Sequence, residues 1–409
     1  MKDLSYLKDC PIAVLGGGAV GKTVAADCKL AGREVRLYSR SERSLANVER
    51  TGIRLDGIQR NLYDFHREGT AFLDVVSNNM AKVVKGAKLV ILAVPALSHE
   101  AYVSELVPLL EDGMVIHVFT DNYATLLIRK KMRELGIGKD VIVGGWGSAP
   151  YGTRVEKIAG FWTNHVGAKY RAITLRGAAL PSRDNDAFLE SAKYLPAMDS
   201  VTKGDGPVAG DTVLDIGFAN INPVIHVPAS VLGVSSMENW SLVYGNPPGS
   251  YSMYSHGLCP TICRVQYAFY KEQCDIAQAI GIGLPYFSEQ QFYSRRSVLT
   301  AEYMGVDEKG RDNVVFPLDQ PCDEGNTGPD SIDHRYITED IPVGCKIYHD
   351  LGVKFGVPTP VIDSMIVLGG AFHNTDYFEK SGYNLDYLGI GSPDRKQLLT
   401  YLRDGVYPE

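Results

Sequence analysis

At 409 residues the chain is longer than one ordinary domain, and 45% apolar with 22% charged residues is a globular composition with material for more than one core. A formal charge of −7 without a basic block argues against nucleic acid or an anionic membrane surface as partner, and no apolar run approaches the length of a membrane span. Seven cysteines scattered without a paired framework, behind an N-terminus that lacks signal-peptide architecture, suit a reducing, cytoplasmic setting.

The first predicted strand is the apolar run Ile12–Leu15. Gly16-Gly17-Gly18-Ala19-Val20-Gly21 follows with no spacer. Val20, Val24, Ala25, Cys28 and Ala31 then recur at helical spacing until Gly32, and a second apolar strand, Val35–Tyr38, comes next. This is a βαβ unit with a glycine turn at its first junction, where backbone N–H groups and a helix N-terminus converge on a phosphate.

Two motifs overlap on that turn. Gly16-x-Gly18-x-x-Gly21 fits the dinucleotide fingerprint: the first glycine turns the chain, the second admits the pyrophosphate, and the third packs helix on strand. Gly16-x-x-x-x-Gly21-Lys22-Thr23 also satisfies the phosphate loop of nucleotide hydrolases, with Lys22 on a β/γ-phosphate and Thr23 on magnesium. Context favours the dinucleotide. The second strand follows a single short helix, and the best metal-binding strand, 115–121, is interrupted by His117 and Thr120. Gly16, Gly18, Ala19, Val20 and Gly21 are therefore the expected cofactor contacts.

At the end of the second strand an acid would accept hydrogen bonds from a ribose 2′-hydroxyl and repel a 2′-phosphate. Ser39 and Arg40 stand there instead, which favours NADP(H) over NAD(H). A further buried strand, 89–94, ends at Pro95, and cofactor contacts gather at such carboxyl ends. Helices at 100–110 and 124–135 alternate with strands at 114–119 and 140–143; a late strand at 169–175 and a helix at 188–195 follow. The alternation predicts an α/β, Rossmann-type doubly wound sheet. Gly204-Asp205-Gly206-Pro207 marks a boundary, giving a dinucleotide-binding domain over 1–205 and an all-α C-terminal domain over 206–409.

The second half reads as helices at 213–234, 262–280, 341–355, 360–368 and 395–403, with a long irregular excursion at 304–333. Asp211, Asp215, Asn222 and His226 fall within about a 60° sector of an ideal helix over 213–234, with a kink expected at Pro223 and Pro228. His226 is either a satisfied core histidine or a proton-transfer group. Arg335 and Asp340 flank a helix start, where an acid serves as a first-turn residue and an arginine as an ion-pair partner. The sharper reading sets Arg335 on a substrate carboxylate and Asp340 against an imidazole.

Three segments in order, Asn220-Ile-Asn222-Pro-Val-Ile-His226-Val-Pro228, Arg335-Tyr336-x-x-Glu339-Asp340 and Val357-Pro-Thr-Pro-Val-Ile-Asp363, resemble the signatures of the octopine/nopaline-type opine dehydrogenases. The likeness spans a general nucleotide-binding half to about 183 and a more specific helical half over about 206–391. It implies NAD(P)H-dependent reductive condensation of a 2-oxo acid, typically pyruvate, with the amino group of an amino acid. It further implies that His226 is the proton donor and acceptor, Asp340 its partner and Arg335 the clamp for the oxo-acid carboxylate. Asn222, within the first signature, is a substrate-binding candidate. Members of that family often use NAD and end the second strand in an acid, from which Ser39-Arg40 departs.

The implied chemistry suits these residue types. A 2-oxo acid and an amine form a carbinolamine, lose water to an imine and accept a hydride. Hydroxide leaves poorly unless a group titrating near neutrality protonates it. The alternatives are a 2-hydroxy-acid or sugar-phosphate reductase, which needs no amine, and a non-catalytic NADPH sensor. Tyr251, Tyr254 and His256 lie close in chain order to the expected pocket, without a position in space. A homodimer is compatible with the sequence, which carries no legible interface patch or coiled-coil repeat.

Overall fold

The computed structural model describes residues 3–57, 67–158, 161–292 and 327–408. They fall into two compact units: Met1–Gly217 with Lys396–Glu409, and the residues of 218–395. Each is described by itself.

The first unit is built on an eight-stranded sheet. Its strands are β1 (Ile12–Leu15), β2 (Val35–Tyr38), β5 (Val75–Ser77), β6 (Leu89–Leu92), β7 (Val115–Phe119), β8 (Ile142–Trp146), β11 (Thr174–Ala179) and β12 (Gly206–Ala209), in the spatial order β12-β11-β8-β7-β6-β1-β2-β5. All neighbours from β5 to β8 run parallel, β11 is antiparallel to β8, and β12 is parallel to β11. Every residue of β1, β6, β7 and β8 is buried, as a sheet covered on both faces requires. The intervening helices are α1 (Ala19–Leu30), α2 (Met80–Val84), α3 (His99–Leu106), α4 (Ala124–Glu134) and α5 (Asn185–Ser191). This is the doubly wound arrangement that the alternation predicts.

A second sheet of four strands has no counterpart in the sequence reading. It is ordered β4 (Gly69–Ala71), β3 (Ile53–Gly57), β10 (Phe161–Arg171), β9 (Tyr151–Ile158). The strand predicted at 169–175 is two: the end of β10 and the start of β11. The small sheet is fastened to α1 by a buried polar cluster. Asp27 of α1 takes two bonds from the Arg171 guanidinium, at 2.8 and 3.1 Å, one from Arg67 Nε at 2.8 Å and one from the Tyr151 hydroxyl at 2.5 Å.

The domain boundary moves as well. Residues 206–209 form β12 and pair with β11, so they stay with the sheet, and the compact units divide at Gly217/Phe218 instead of 205/206. The chain then returns: in helix α13 (Arg395–Asp404) the residues from Lys396 onward belong to the first unit, and Arg403 Nη2 stands 3.2 Å from Asp211 Oδ2.

The helix predicted at 213–234 is broken into α6 (Val213–Ala219) and α7 (Asn222–Leu232), because Pro223 starts a new helix and has no N–H to continue the old one. The four-residue polar stripe is therefore divided. Asp211 faces Arg403 and Asp215 faces Arg176 at 3.0 Å, both in the first unit, whereas Asn222 and His226 open the second. The second unit continues with α8 (Val234–Leu242), α9 (Pro260–Ile280), α10 (Arg335–Thr338), α11 (Lys346–Phe355) and α12 (Pro360–Phe372). Residues 340–345, predicted as the first turns of one helix with α11, wind instead as a π-helix, as do 253–257. Glu272 of α9 accepts the N–H groups of Val361 and Ile362 and so caps α12. Most of the predicted excursion, 304–326, lies outside the described residues. Among the described residues, no helix is long and apolar enough to cross a membrane.

Candidate active site

The glycine turn has the geometry its spacing requires. Gly16 has a φ of +135°, and a Cβ there would lie 2.2 Å from the Ala93 carbonyl oxygen, at the end of β6. A Cβ on Gly21 would lie 1.9 Å from the Gly16 carbonyl oxygen, so α1 can start this close to β1 only without a side chain. Gly18 is the opposite case: nothing lies within 4 Å of its Cβ position. The turn is closed at two glycines and open at the third, as an incoming pyrophosphate needs. Ala19 and Val20 begin α1, with their N–H groups at the helix N-terminus.

Gly18 and Ala19 line a cavity of about 810 Å³ that runs from the turn to the small sheet. Ser39, Arg40 and Pro95 do not line it. Ser39 is buried and its Oγ accepts the Ser41 N–H at 3.2 Å; Arg40 is exposed and donates its backbone N–H to the Tyr102 hydroxyl. Arg43, three residues further along in the short helix Glu42–Leu45, does line the cavity, with Arg54, Arg154, Lys22 and His165. The hydrolase motif fails at Thr23, which is fully buried with its hydroxyl 2.8 Å from the Ala19 carbonyl and 2.7 Å from Thr153 Oγ1.

His117, which interrupts β7 in the sequence, is a satisfied core histidine. Trp146 Nε1–H donates to Nδ1 at 3.1 Å, and Ser191 Oγ lies 3.1 Å from Nε2. Burial drives its pKa down to about 3. The ring is neutral and fully engaged.

His226 differs in its partners, a carboxylate and a phenol. It lies on α7, one turn past Pro223, and its Nδ1 is 2.8 Å from Asp340 Oδ2 at the start of the π-helical turn. Both side chains are nearly buried, at 10% and 8% exposure. A carboxylate accepts only, so Nδ1 carries the hydrogen and Nε2 is the nitrogen left to exchange protons. The Tyr254 hydroxyl stands 2.9 Å from that Nε2, and the Tyr336 ring stacks on the imidazole with centroids 3.6 Å apart. Sequence order placed Tyr254 nearby without a role; the π-helical turn that aims it has no sequence signature.

Arg335, the first residue of α10, is 54% exposed, with Nε 3.4 Å from Glu339 Oε2. It is adjacent to Tyr336 and five residues before Asp340 on one short segment, so its guanidinium and the imidazole partner are carried together. Asn222 opens α7 one turn before His226, half-buried, with its carboxamide unbonded among the described residues. Tyr251 and His256 pack on Trp240 and form no part of the His226 cluster.

A glycine turn set to hold a dinucleotide, and a helical unit with an imidazole–carboxylate pair, define a two-domain NAD(P)-dependent dehydrogenase. Residues 209–373 match the family described as NAD/NADP octopine/nopaline dehydrogenase, alpha-helical domain, and residues 12–131 match ketopantoate reductase PanE/ApbA. The chain is 25% identical over 383 residues to the opine dehydrogenase of Arthrobacter sp. (strain 1C), covering 92% of this chain and 94% of the other. It is 21% identical over 309 residues to the opine dehydrogenase of Haliotis discus hannai, covering 72% and 71%. The octopine dehydrogenase structure with NADH and L-arginine shares the fold at a TM-score of 0.64 and 20% identity, covering 94% of this chain and 99% of that one. Yersinopine dehydrogenase with NADP+ bound does so at 0.64 and 14%, covering 98% and 99%. Over 209–373 the chain matches the octopine/nopaline dehydrogenase helical domain, and along most of its length it is similar to opine dehydrogenases, NAD(P)-dependent oxidoreductases that act on CH–NH bonds.

Proposed function

We propose that this chain joins a 2-oxo acid, pyruvate as first candidate, to the amino group of an L-amino acid, giving an N-(carboxyalkyl)amino acid. The observation that carries the reading is the Asp340–His226–Tyr254 line, in which one imidazole nitrogen is fixed by a carboxylate and the other is presented to a hydroxyl. In its charged form His226 gives the Nε2 proton to the hydroxyl of the carbinolamine; the C–O bond breaks, water leaves and the C=N bond forms. Asp340 keeps the ring in the required tautomer and stabilises its charge. Arg335 grips the oxo-acid carboxylate with the part of its guanidinium that Glu339 leaves open, and Asn222 offers a neutral hydrogen-bonding group one turn from His226. A bound reduced nicotinamide would supply the hydride that converts the protonated imine left by that step to the amine.

NADP(H) is the proposed coenzyme. Its support is the absence of an acid at the end of β2 and the cationic lining by Arg43, Arg54 and Arg154, against one acid, Glu156. An oxidation screen of NADPH and NADH with pyruvate and each common L-amino acid tests the reading. Turnover that requires the amine supports it. Turnover undiminished when the amine is omitted selects a ketone reductase, the reading that the ketopantoate reductase match over 12–131 would favour.

A further inference from the structure

Lys22 follows the last fingerprint glycine, in the first turns of α1, and is 4% exposed. Its ammonium donates to Asn164 Oδ1 at 2.9 Å and lies 3.5 Å from the Thr163 carbonyl oxygen, both on β10. These acceptors are neutral, and no carboxylate pairs with Nζ among the described residues. A buried cation without a counter-charge is costly to hold and is kept where an anion arrives. The side chain lines the same cavity as Gly18, the one glycine of the turn with open space at its Cβ position.

We propose that Lys22 is a phosphate-binding residue of the dinucleotide site, its ammonium held by Asn164 of the small sheet for a phosphate brought against Gly18. The proposal rests on the nicotinamide-dinucleotide reading and adds a residue outside the glycine fingerprint. The phosphate is either the pyrophosphate or a 2′-phosphate; the chemistry is the same.

Protonation links the site to pH. Burial pushes the pKa of Lys22 down to about 8, so the cation that attracts phosphate is lost within an accessible range. The charged groups facing the same cavity are Arg43 from the short helix Glu42–Leu45, Arg54 from β3, Arg154 and Glu156 from β9, and His165 from β10. His165 sits between Asp56 and Glu156; burial opposes its charge, but the two carboxylates hold its pKa above the ordinary value.

Dissociation constants for NADPH and NADH, measured by fluorescence titration of the full chain from pH 6.5 to 9.5, decide the matter. Lys22→Met is expected to bind roughly 10- to 100-fold more weakly at pH 7. The unaltered protein should lose affinity as pH passes 8, and Lys22→Met should lack that limb, which separates Lys22 from His165. Equal losses with both dinucleotides assign the pyrophosphate, and a loss confined to NADPH assigns the 2′-phosphate. If Lys22→Met does not fold, Lys22→Arg carries the test: its charge persists, so its affinity should stay level through pH 9. Unchanged affinity in Lys22→Met, or a limb that survives in Lys22→Arg, overturns the inference and leaves the coenzyme reading standing. Failure of the unaltered protein to bind either dinucleotide overturns both.

Discussion

The Tyr254 hydroxyl lies 2.9 Å from His226 Nε2, on the ring edge opposite the 2.8 Å bond from Nδ1 to Asp340. With Nδ1 committed to the carboxylate, Tyr254 shares the nitrogen from which the proposed mechanism passes a proton to substrate. In the neutral ring the phenol donates to Nε2; in the charged ring Nε2–H donates to the phenol oxygen. Tyr254→Phe breaks that exchange while leaving the aromatic face, and is expected to lower kcat about ten- to hundredfold. The pH profile of kcat should shift, with dinucleotide affinity unchanged. His226→Ala should cost about 10²- to 10⁴-fold in kcat, again with coenzyme binding retained. A Tyr254→Phe enzyme with the parent kcat and profile would make the tyrosine a packing residue.

Arg335 offers a guanidinium more than half exposed, with its neighbour Glu339 in its own turn. Arg335→Lys keeps the charge and loses the planar fork that matches a carboxylate. The KM for the 2-oxo acid should rise at least about tenfold, the KM for the amino acid much less. The melting temperature should hold, since the side chain is exposed. Equal rises for both substrates would place the carboxylate clamp elsewhere.

Coenzyme choice is expected to follow Arg43 and not Arg40. Arg43 lines the cavity beside Ser41 and Ser44, whereas Arg40 is exposed and is not part of that lining. Arg43→Ala should weaken NADPH roughly tenfold more than NADH, and Arg40→Ala should change their ratio little. Titration of both variants with both dinucleotides measures the ratio directly.

The doubly wound sheet was legible because β1 and β6 are unbroken apolar runs and β7 is apolar but for His117, separated by helices of ordinary length. The glycine turn was legible because its spacing has a steric consequence, seen in the close approaches at Gly16 and Gly21 and the open space at Gly18. The small sheet was not. β9 alternates weakly and ends in four half-buried or exposed residues, β10 carries irregular register against it, and the other partner of β10, β3, lies about a hundred residues away. Pairing over that distance leaves no local periodicity. The π-helical turns escaped for a related reason: one extra residue per turn changes direction without changing composition, and it is these turns that carry Asp340 and Tyr254 to His226. The break at Pro223 was foreseen as a kink, yet its consequence, two acids on one unit and Asn222 with His226 on the other, depended on partners such as Arg176 and Arg403.

The small sheet hangs on Asp27, and its loss should show as instability with a particular pH signature. Asp27 is fully buried. Burial alone would raise its pKa, but hydrogen bonds and charge from Arg171 and Arg67 outweigh that and hold the carboxyl below the ordinary range. A depressed folded pKa means that the unfolded chain binds more protons between the folded value and about 3.9, so stability rises with pH across that window. The contribution is complete above the unfolded value and is lost as pH falls through the folded one. Asp27→Asn leaves Arg171, itself 2% exposed, without its carboxylate, and should cost about 3–5 kcal/mol at pH 7 in urea titrations. The difference between the parent and the variant should shrink below about pH 4, because the parent then protonates the same group. A difference that stays constant down to pH 2 would mean that Asp27 acts through packing alone. Tyr151→Phe, which removes one neutral donor from the same carboxylate, should cost only about 1–2 kcal/mol, since both arginines remain.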